Sequence, residues 1–444
     1  MIELDLRKEK FFIEPFSLYF LLKEDYSILL ESNYFHKNFG RYSFIFLSPK
    51  EILICRDNDD AEDFLNKLSA EIEKKKKKNE DLIFNGGFVG FLSYDFGVDL
   101  YKIPRKKNPL NHKAFFGYYE NFIIFDHLEK KILIPSEIYK DLKEIINSLK
   151  SSSYKDYKFK EHIVYNFFTN FKKDEYIEAI RKIKNYIYEG DVYQVNLSQR
   201  FYFNGKFDPY YIYYKLRKKN YGAFHAFIKL KDSYIISTSP ELFLYKKKNK
   251  IITRPIKGTI KRAQNREEDK KNKRILMNDT KCRSELLMIV DLERNDFAKI
   301  CIPESIHVKK LFEIESYSSV FHLVSTIEGS LKKDIEFKDI IKATFPGGSI
   351  TGAPKLNAIK IIEELEKDPR GVYTGSIGFI SNNLNMAFNI AIRTLIVEKD
   401  IAYYNVGGGI VWDSKEEDEY EETLAKGKPL LEVLLSSKNY VTKR

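Results

Sequence analysis

The sequence predicts an α+β fold built on antiparallel sheets. Two observations carry this. Strand-like runs and helical repeats do not alternate as βαβ units would, and the two longest β candidates, 386–397 and 401–411, are joined only by the polar Glu398-Lys399-Asp400. With 444 residues and 43% hydrophobic content, the chain has enough apolar material for two or three average domains or one large elaborated one.

Short β-rich runs at 42–47, 88–93 and 122–125 come first, followed by a helix-like segment at 138–149. From Ser151 to Asn170 the chain turns polar and Lys/Tyr-rich, opening on Ser151-Ser152-Ser153, and reads as a loose connection. The expected division is therefore 1–150, a connection over 151–173, and a second unit over 174–436. Tyr176, Ile180, Ile183 and Ile187 recur at helical spacing, with Asp174 as N-cap and Gly190 as stop. Strands are expected at 234–237, 242–245 and 251–254. A helix starts near Pro354 and aligns Leu356, Ile359, Ile362 and Leu365 on one face. A last helix covers 416 to about 435, with a kink at Pro429.

The net charge of +11 is spread along the chain, and no basic stripe interleaves with aromatics, which argues against nucleic acid. A basic protein does concentrate small anions. The Lys74 to Lys78 run sits between Glu73 and Glu80 and reads as a solvated helix end or loop. Cys55, Cys282 and Cys301 form no CxxC pair, as expected of a reducing compartment, and the seven histidines show no zinc spacing. The N-terminus lacks a signal pattern, and the apolar stretch 11–22 is broken by Glu14 and Pro15 and too short to span a bilayer. The expectation is a cytoplasmic protein without membrane contact.

Several constellations bear on chemistry, each with a bland alternative. The loop Pro346-Gly347-Gly348-Ser349-Ile350-Thr351-Gly352 leads into a helix but is no Walker A motif; it is an anion cradle or simply a tight turn. Gly407-Gly408-Gly409 ends a strand, allowing either close ligand approach or a bulge. Glu419, Glu422 and Lys426 share one helix face, which suits a hard divalent cation or an exposed ion-pair ladder. Glu285, ahead of an apolar run, is an ion-pair partner or a ligand. Lys257, between Ile256 and Gly258, is a nucleophile or base, or a surface lysine.

Together these segments resemble the chorismate-using enzymes: the large subunits of anthranilate and aminodeoxychorismate synthases, and the isochorismate and salicylate synthases. The resemblance is carried, in family order, by the block from Gly190-Asp191-Val192-Tyr193-Gln194 to Phe201, Ser239-Pro240-Glu241, Arg254 to Thr259, Met288 to Leu292, His322-Leu323-Val324-Ser325-Thr326, the loop 345–355, Ile392-Arg393-Thr394 and the glycine triplet. It is clear from about 174 to 428. Before that, Leu29-Leu30-Glu31-Ser32, Gly40-Arg41-Tyr42-Ser43 and the block 86–94 resemble the family's regulatory blocks.

The resemblance implies two interlocked antiparallel sheet layers with surrounding helices, a regulatory or structural domain over 1–150 and a catalytic domain over 174–436. It implies Mg²⁺ held by Glu285 and Glu422 with Glu419 beside them, Glu241 as general acid, and His322 near the ring carboxylate. Tyr373 and Arg393 would grip the enolpyruvyl carboxylate, and Lys426 with the Gly408 and Gly409 N–H groups would add positive field. Gln194, Thr344 and Thr351 would also bind substrate.

Two positions discriminate within the family. Water-using members resemble this block but carry a lysine base at Gln194. Anthranilate synthases typically have Ala where Lys257 stands, whereas aminodeoxychorismate synthases commonly have Lys. The expected reaction is therefore C4 amination of chorismate by ammonia, with Lys257 as nucleophile. The alternative is anthranilate formation, and a further one is a non-catalytic chorismate-binding subunit. Little chain follows Lys428, so a separate glutamine amidotransferase subunit is expected to supply the ammonia. Glu31 and Ser32 match the site where anthranilate synthases sense tryptophan; the alternative there is sandwich core. Cys282, Ser284, Leu286 and Ala387 depart from the family pattern.

Overall fold

In a computed structural model, residues 1–7, 13–33, 39–77, 82–107, 112–151, 158–317 and 319–436 are described. Residues 11 and 12 of the apolar stretch, Lys78 of the basic run, and residues 152–157 of the expected connection lie outside them.

Among the described residues two antiparallel sheets dominate, one of 12 strands and one of 10. Each draws on both ends of the sequence. In the larger, Ile28–Glu31 pairs with Phe224–Lys229. In the smaller, Gly87–Leu92 pairs with Ser376–Ser381. The sheets face each other across a core that joins Ile28, Phe44 and Phe46 of one to Phe91, Phe115 and Phe379 of the other. The α+β class and its interlocked antiparallel layers are thus observed. No helix among the described residues is long and apolar enough to cross a membrane.

The last helix, Glu416–Leu435, has the expected bounds and contains Pro429. Its first turn is acidic, which favours the positive end of the helix dipole. Its buried face, including Thr423, Gly427, Leu430 and Val433, rests on the strand Ile401–Ile410. Gly427 leaves room for the Tyr404 ring, whose Cε2 would lie 3.3 Å from a Cβ there.

Three expectations need correction. The helix Lys173–Tyr188 is capped at Lys172 rather than Asp174, because the Glu175 carboxylate reaches back to accept the Lys172 N–H at 2.7 Å. The polar stretch 151–170 includes a strand, Ile163–Thr169, which pairs with Gln194–Lys206; Phe167 and Phe168 stack on Phe203 and Tyr202. Most of its side chains are exposed, so burial left no alternating signal to read.

The run 386–397 is not one strand. Met386–Asn389 belongs to the smaller sheet and Thr394–Glu398 to the larger, with the chain crossing between them at Arg393, φ 51°. A second crossing runs beside it, from Ser233–Ser239 in the larger sheet to Leu242–Lys247 in the smaller. The crossings are tied by Ile390 N–H to Glu241 O at 3.1 Å and Ser239 Oγ to Ile390 O at 2.5 Å. Irregular backbone at a sheet corner is what places Glu241 and Arg393 where the layers part.

Candidate active site

Glu241, at its crossing, is 4% exposed and accepts a hydrogen bond from Ser349 Oγ at 2.6 Å. Burial pushes its carboxyl up to about 7, against the opposing pull of Ser349, Lys257 and the Ile256 N–H. Lys257 starts from the strand Ile256–Lys261, and its Nζ donates to Ser349 O at 3.1 Å. One serine of the Gly-rich loop therefore contacts both an acid and an amine. Thr351 holds that loop in shape by bonding Gly347 O at 2.9 Å, and the Thr344 hydroxyl is used on Ile340 O at 2.7 Å. Thr351 thus supports the loop from within, and Thr344 caps its own helix turn; both hydroxyls are already engaged.

The glycine triplet forms the opposite wall. A Cβ at Gly409 would meet Gln194 Nε2 at 2.4 Å and Lys257 Nζ at 3.6 Å. A Cβ at Gly408 would meet Glu419 Oε2 at 3.4 Å, Glu422 Oε1 at 3.8 Å and Lys426 Nζ at 3.8 Å. Lys426 also donates to Gly407 O at 3.0 Å. Glu285 lies on the helix Thr280–Ile300; its pKa is raised by burial and by the charges of Glu419 and Glu422, against Lys257 and Lys281. The three glutamates thus sense one another across the site.

Their chemistry fits a hard divalent cation, which favours carboxylate oxygens. As they stand, these oxygens face lysines: Glu419 accepts from Lys281 at 2.9 Å and from Ser414 at 2.6 Å, and Glu422 pairs with Lys426 at 2.6 Å. Among the described residues, no group of three or more His, Cys, Asp or Glu is gathered tightly enough to hold a metal.

His322 pairs through Nδ1 with Thr259 Oγ1 at 2.7 Å and packs edge-on to Tyr317. Burial and the Arg393 charge push it down to about 3, so its imidazole is neutral at physiological pH. Arg393 is itself lowered by burial and forms no ion pair among the described residues. Tyr373 is buried on the turn whose Thr374 N–H and Gly375 carbonyl bond to Ala391, two residues before Arg393.

Buried polar atoms normally have partners. Here Gln194 Nε2 and Oε1 and His322 Nε2 have none among the described residues. The imidazole senses the Arg393 guanidinium, which has no ion pair among the described residues, while the amide lies against Gly409; such groups suit an anion with further polar groups. A family model described as chorismate binding enzyme matches residues 27–432. The chain belongs to this family.

Anthranilate synthase component 1 of Aquifex aeolicus (strain VF5) is 35% identical, over 95% of this chain and 92% of that protein. Aminodeoxychorismate synthase component 1 of Escherichia coli (strain K12) is 34% identical, over 92% and 93%. The crystal structure of anthranilate synthase component I from Streptococcus pneumoniae TIGR4 superposes with a TM-score of 0.77 at 30% identity, covering 94% of this chain and 97% of that one. This member of the chorismate-binding family is a chorismate-using enzyme of the aminodeoxychorismate and anthranilate synthase type.

Ser349, Lys281 and Ser414 are site residues that sequence reasoning passed over. Ser349 stood inside a motif already noted for its glycines, whereas Lys281 and Ser414 gave no signal. The family departures sort by location. Cys282 Sγ would lie 2.8 Å from a Cβ at Gly258, next to Lys257. Leu286 is core, and Ala387 lines a separate cavity. That cavity, about 440 Å³, lies between the sheets with Glu31 in its wall. The Glu31 carboxylate is held by Arg217 at 2.6 Å and Tyr213 at 2.7 Å, and Ser32 N–H donates to Ser43 Oγ at 3.0 Å.

Gly409→Ala is expected to fold normally and to lose about 100-fold in kcat/KM, since the methyl must displace Gln194 and intrude toward Lys257. Circular dichroism and steady-state kinetics check this; unchanged kinetics would remove Gly409 from the site.

Proposed function

We propose that this enzyme aminates chorismate at C4, giving 4-amino-4-deoxychorismate. The observation that supports this most is Lys257: its amine shares Ser349 with the buried acid Glu241. The Lys257 amine attacks C2, the ring double bonds shift, and the C4 hydroxyl departs as water with the Glu241 proton. Ammonia then adds at C4, the double bonds shift back, and the C2–N bond breaks to release the lysine amine. Glu241 regains its proton from the new ammonium group or from solvent. Gln194 cannot deprotonate water, which keeps water from replacing ammonia as the entering group.

Arg393, with Tyr373, is the partner for the enolpyruvyl carboxylate, since a planar guanidinium suits a carboxylate. Neutral His322 donates or accepts one hydrogen bond near the ring carboxylate. Glu285, Glu422 and Glu419 would hold Mg²⁺ once Lys281 and Lys426 release them. The ion would supply positive charge against the ring carboxylate. Removing divalent ions with a chelator is expected to abolish turnover, and added Mg²⁺ to restore it; full activity after chelation would overturn this assignment.

The component 1 in the relatives' names supports a second subunit, here a glutamine amidotransferase that delivers ammonia. The 440 Å³ cavity is large enough for tryptophan beside Glu31. The deciding experiment supplies chorismate, Mg²⁺ and an ammonium salt, and identifies the product by mass spectrometry. Anthranilate would overturn the C4 assignment, and binding without turnover would overturn catalysis.

A further inference from the structure

A second buried carboxyl group lies behind the site, unused in the reaction above. Glu293, on the helix Thr280–Ile300, is 7% exposed, and its Oε2 accepts a hydrogen bond from Thr253 Oγ1 at 3.0 Å. Thr253 stands three residues before Ile256, whose N–H donates to Glu241. The neighbouring Leu292 packs under the Gly-rich loop, where a Cβ on Gly348 would meet its Cδ2 at 2.7 Å. The next loop residue, Ser349, is the one bonded to Glu241. Both carboxyls therefore bond to the corner at 253–256, and Leu292, next to Glu293, lies against the loop that holds Glu241.

Burial pushes Glu293 up to about 8, and the Glu241 charge is the next largest cause. The other charged groups bearing on Glu293 are Asp296 and Lys355, themselves paired at 2.5 Å, and Lys257 bears on Glu241.

We infer that Glu293 is a positioning residue for Glu241, the two carboxyl groups titrating as one unit that must hold both protons for the acid step. In so dry a place an ionised Glu293 would set a negative charge against the proton donor and its anionic substrate. The inference rests on Glu241 being the general acid.

The pH profile of kcat/KM tests it. Activity that needs both protons falls with slope −1 above the first ionisation and slope −2 above the second. In Glu293→Gln, which cannot ionise, slope −1 should persist. At pH 9 the unaltered enzyme should have lost about tenfold more of its pH 6 activity than the variant. Parallel limbs in the two proteins would overturn the pairing. Infrared difference spectra read the protons without catalysis: at pH 6, Glu241→Gln and Glu293→Gln should each remove one protonated-carboxyl band. A missing Glu293 band overturns the inference. Both bands together with full activity in Glu241→Gln would leave the pair standing and refute the general-acid reading.

Discussion

Lys257→Ala is expected to form 4-amino-4-deoxychorismate about 10³-fold more slowly, or roughly 4 kcal/mol of lost transition-state stabilisation. Two roles for this lysine need separating, nucleophile and local cation. Its charge opposes the burial of Glu285 and of Glu241, so its removal also perturbs those carboxyls. Lys257→Arg resolves this, because arginine keeps the charge and has no free amine to attack C2. If Lys257 is the nucleophile, both variants fail alike in a product assay by mass spectrometry. Recovery in the arginine variant to within tenfold of the unaltered rate would leave only the electrostatic role.

What sequence pattern conveyed and what it withheld follow from the range of the interactions involved. Glu416–Leu435 has the expected bounds because its acidic first turn and its apolar face are local properties. The crossing at 390–393 was invisible because both flanking segments are apolar strands, and nothing in their periodicity records which sheet each one joins. Lys257 read more readily as a surface lysine; only the fold brings the Ser349 carbonyl to its amine from 92 residues away in sequence. Glu419 and Glu422 looked like a solvated ladder with Lys426. Their placement against Gly408, fixed by packing on the strand Ile401–Ile410, gives them another use.

The crossings also account for the electrostatics. A buried acid and a buried guanidinium are costly inside a continuous sheet, where neighbouring strands supply only neutral pairing. At a corner, backbone and side-chain donors such as the Ile256 N–H and Ser349 Oγ reach Glu241 from several directions. Arg393 has no comparable anion among the described residues, so its compensation is left to a ligand.

Glu241→Gln tests that picture through two opposite changes. Glutamine has no proton to give the departing hydroxyl, so kcat/KM should fall by about 10²- to 10⁴-fold. In the unaltered enzyme the protonated form acts, so with Glu241 at about 7 the acid's share in catalysis should decline above that pH, a decline absent from the variant. Stability moves the other way. The folded state binds this proton more tightly than the unfolded chain, where the group titrates near 4.5. The resulting stabilisation is complete below 4.5 and disappears as the pH rises through about 7. By pH 8 the unaltered enzyme bears a relative penalty of about 3 kcal/mol. Glutamine, which can still accept from Ser349, bears none. The variant should therefore melt at a higher temperature than the unaltered enzyme at pH 8, with the difference shrinking to under about 1 kcal/mol near pH 5. Thermal melts at the two pH values decide the matter. An equal shift at both, or a less stable variant at pH 8, would mean that Glu241 is already ionised at no cost and cannot be the proton donor.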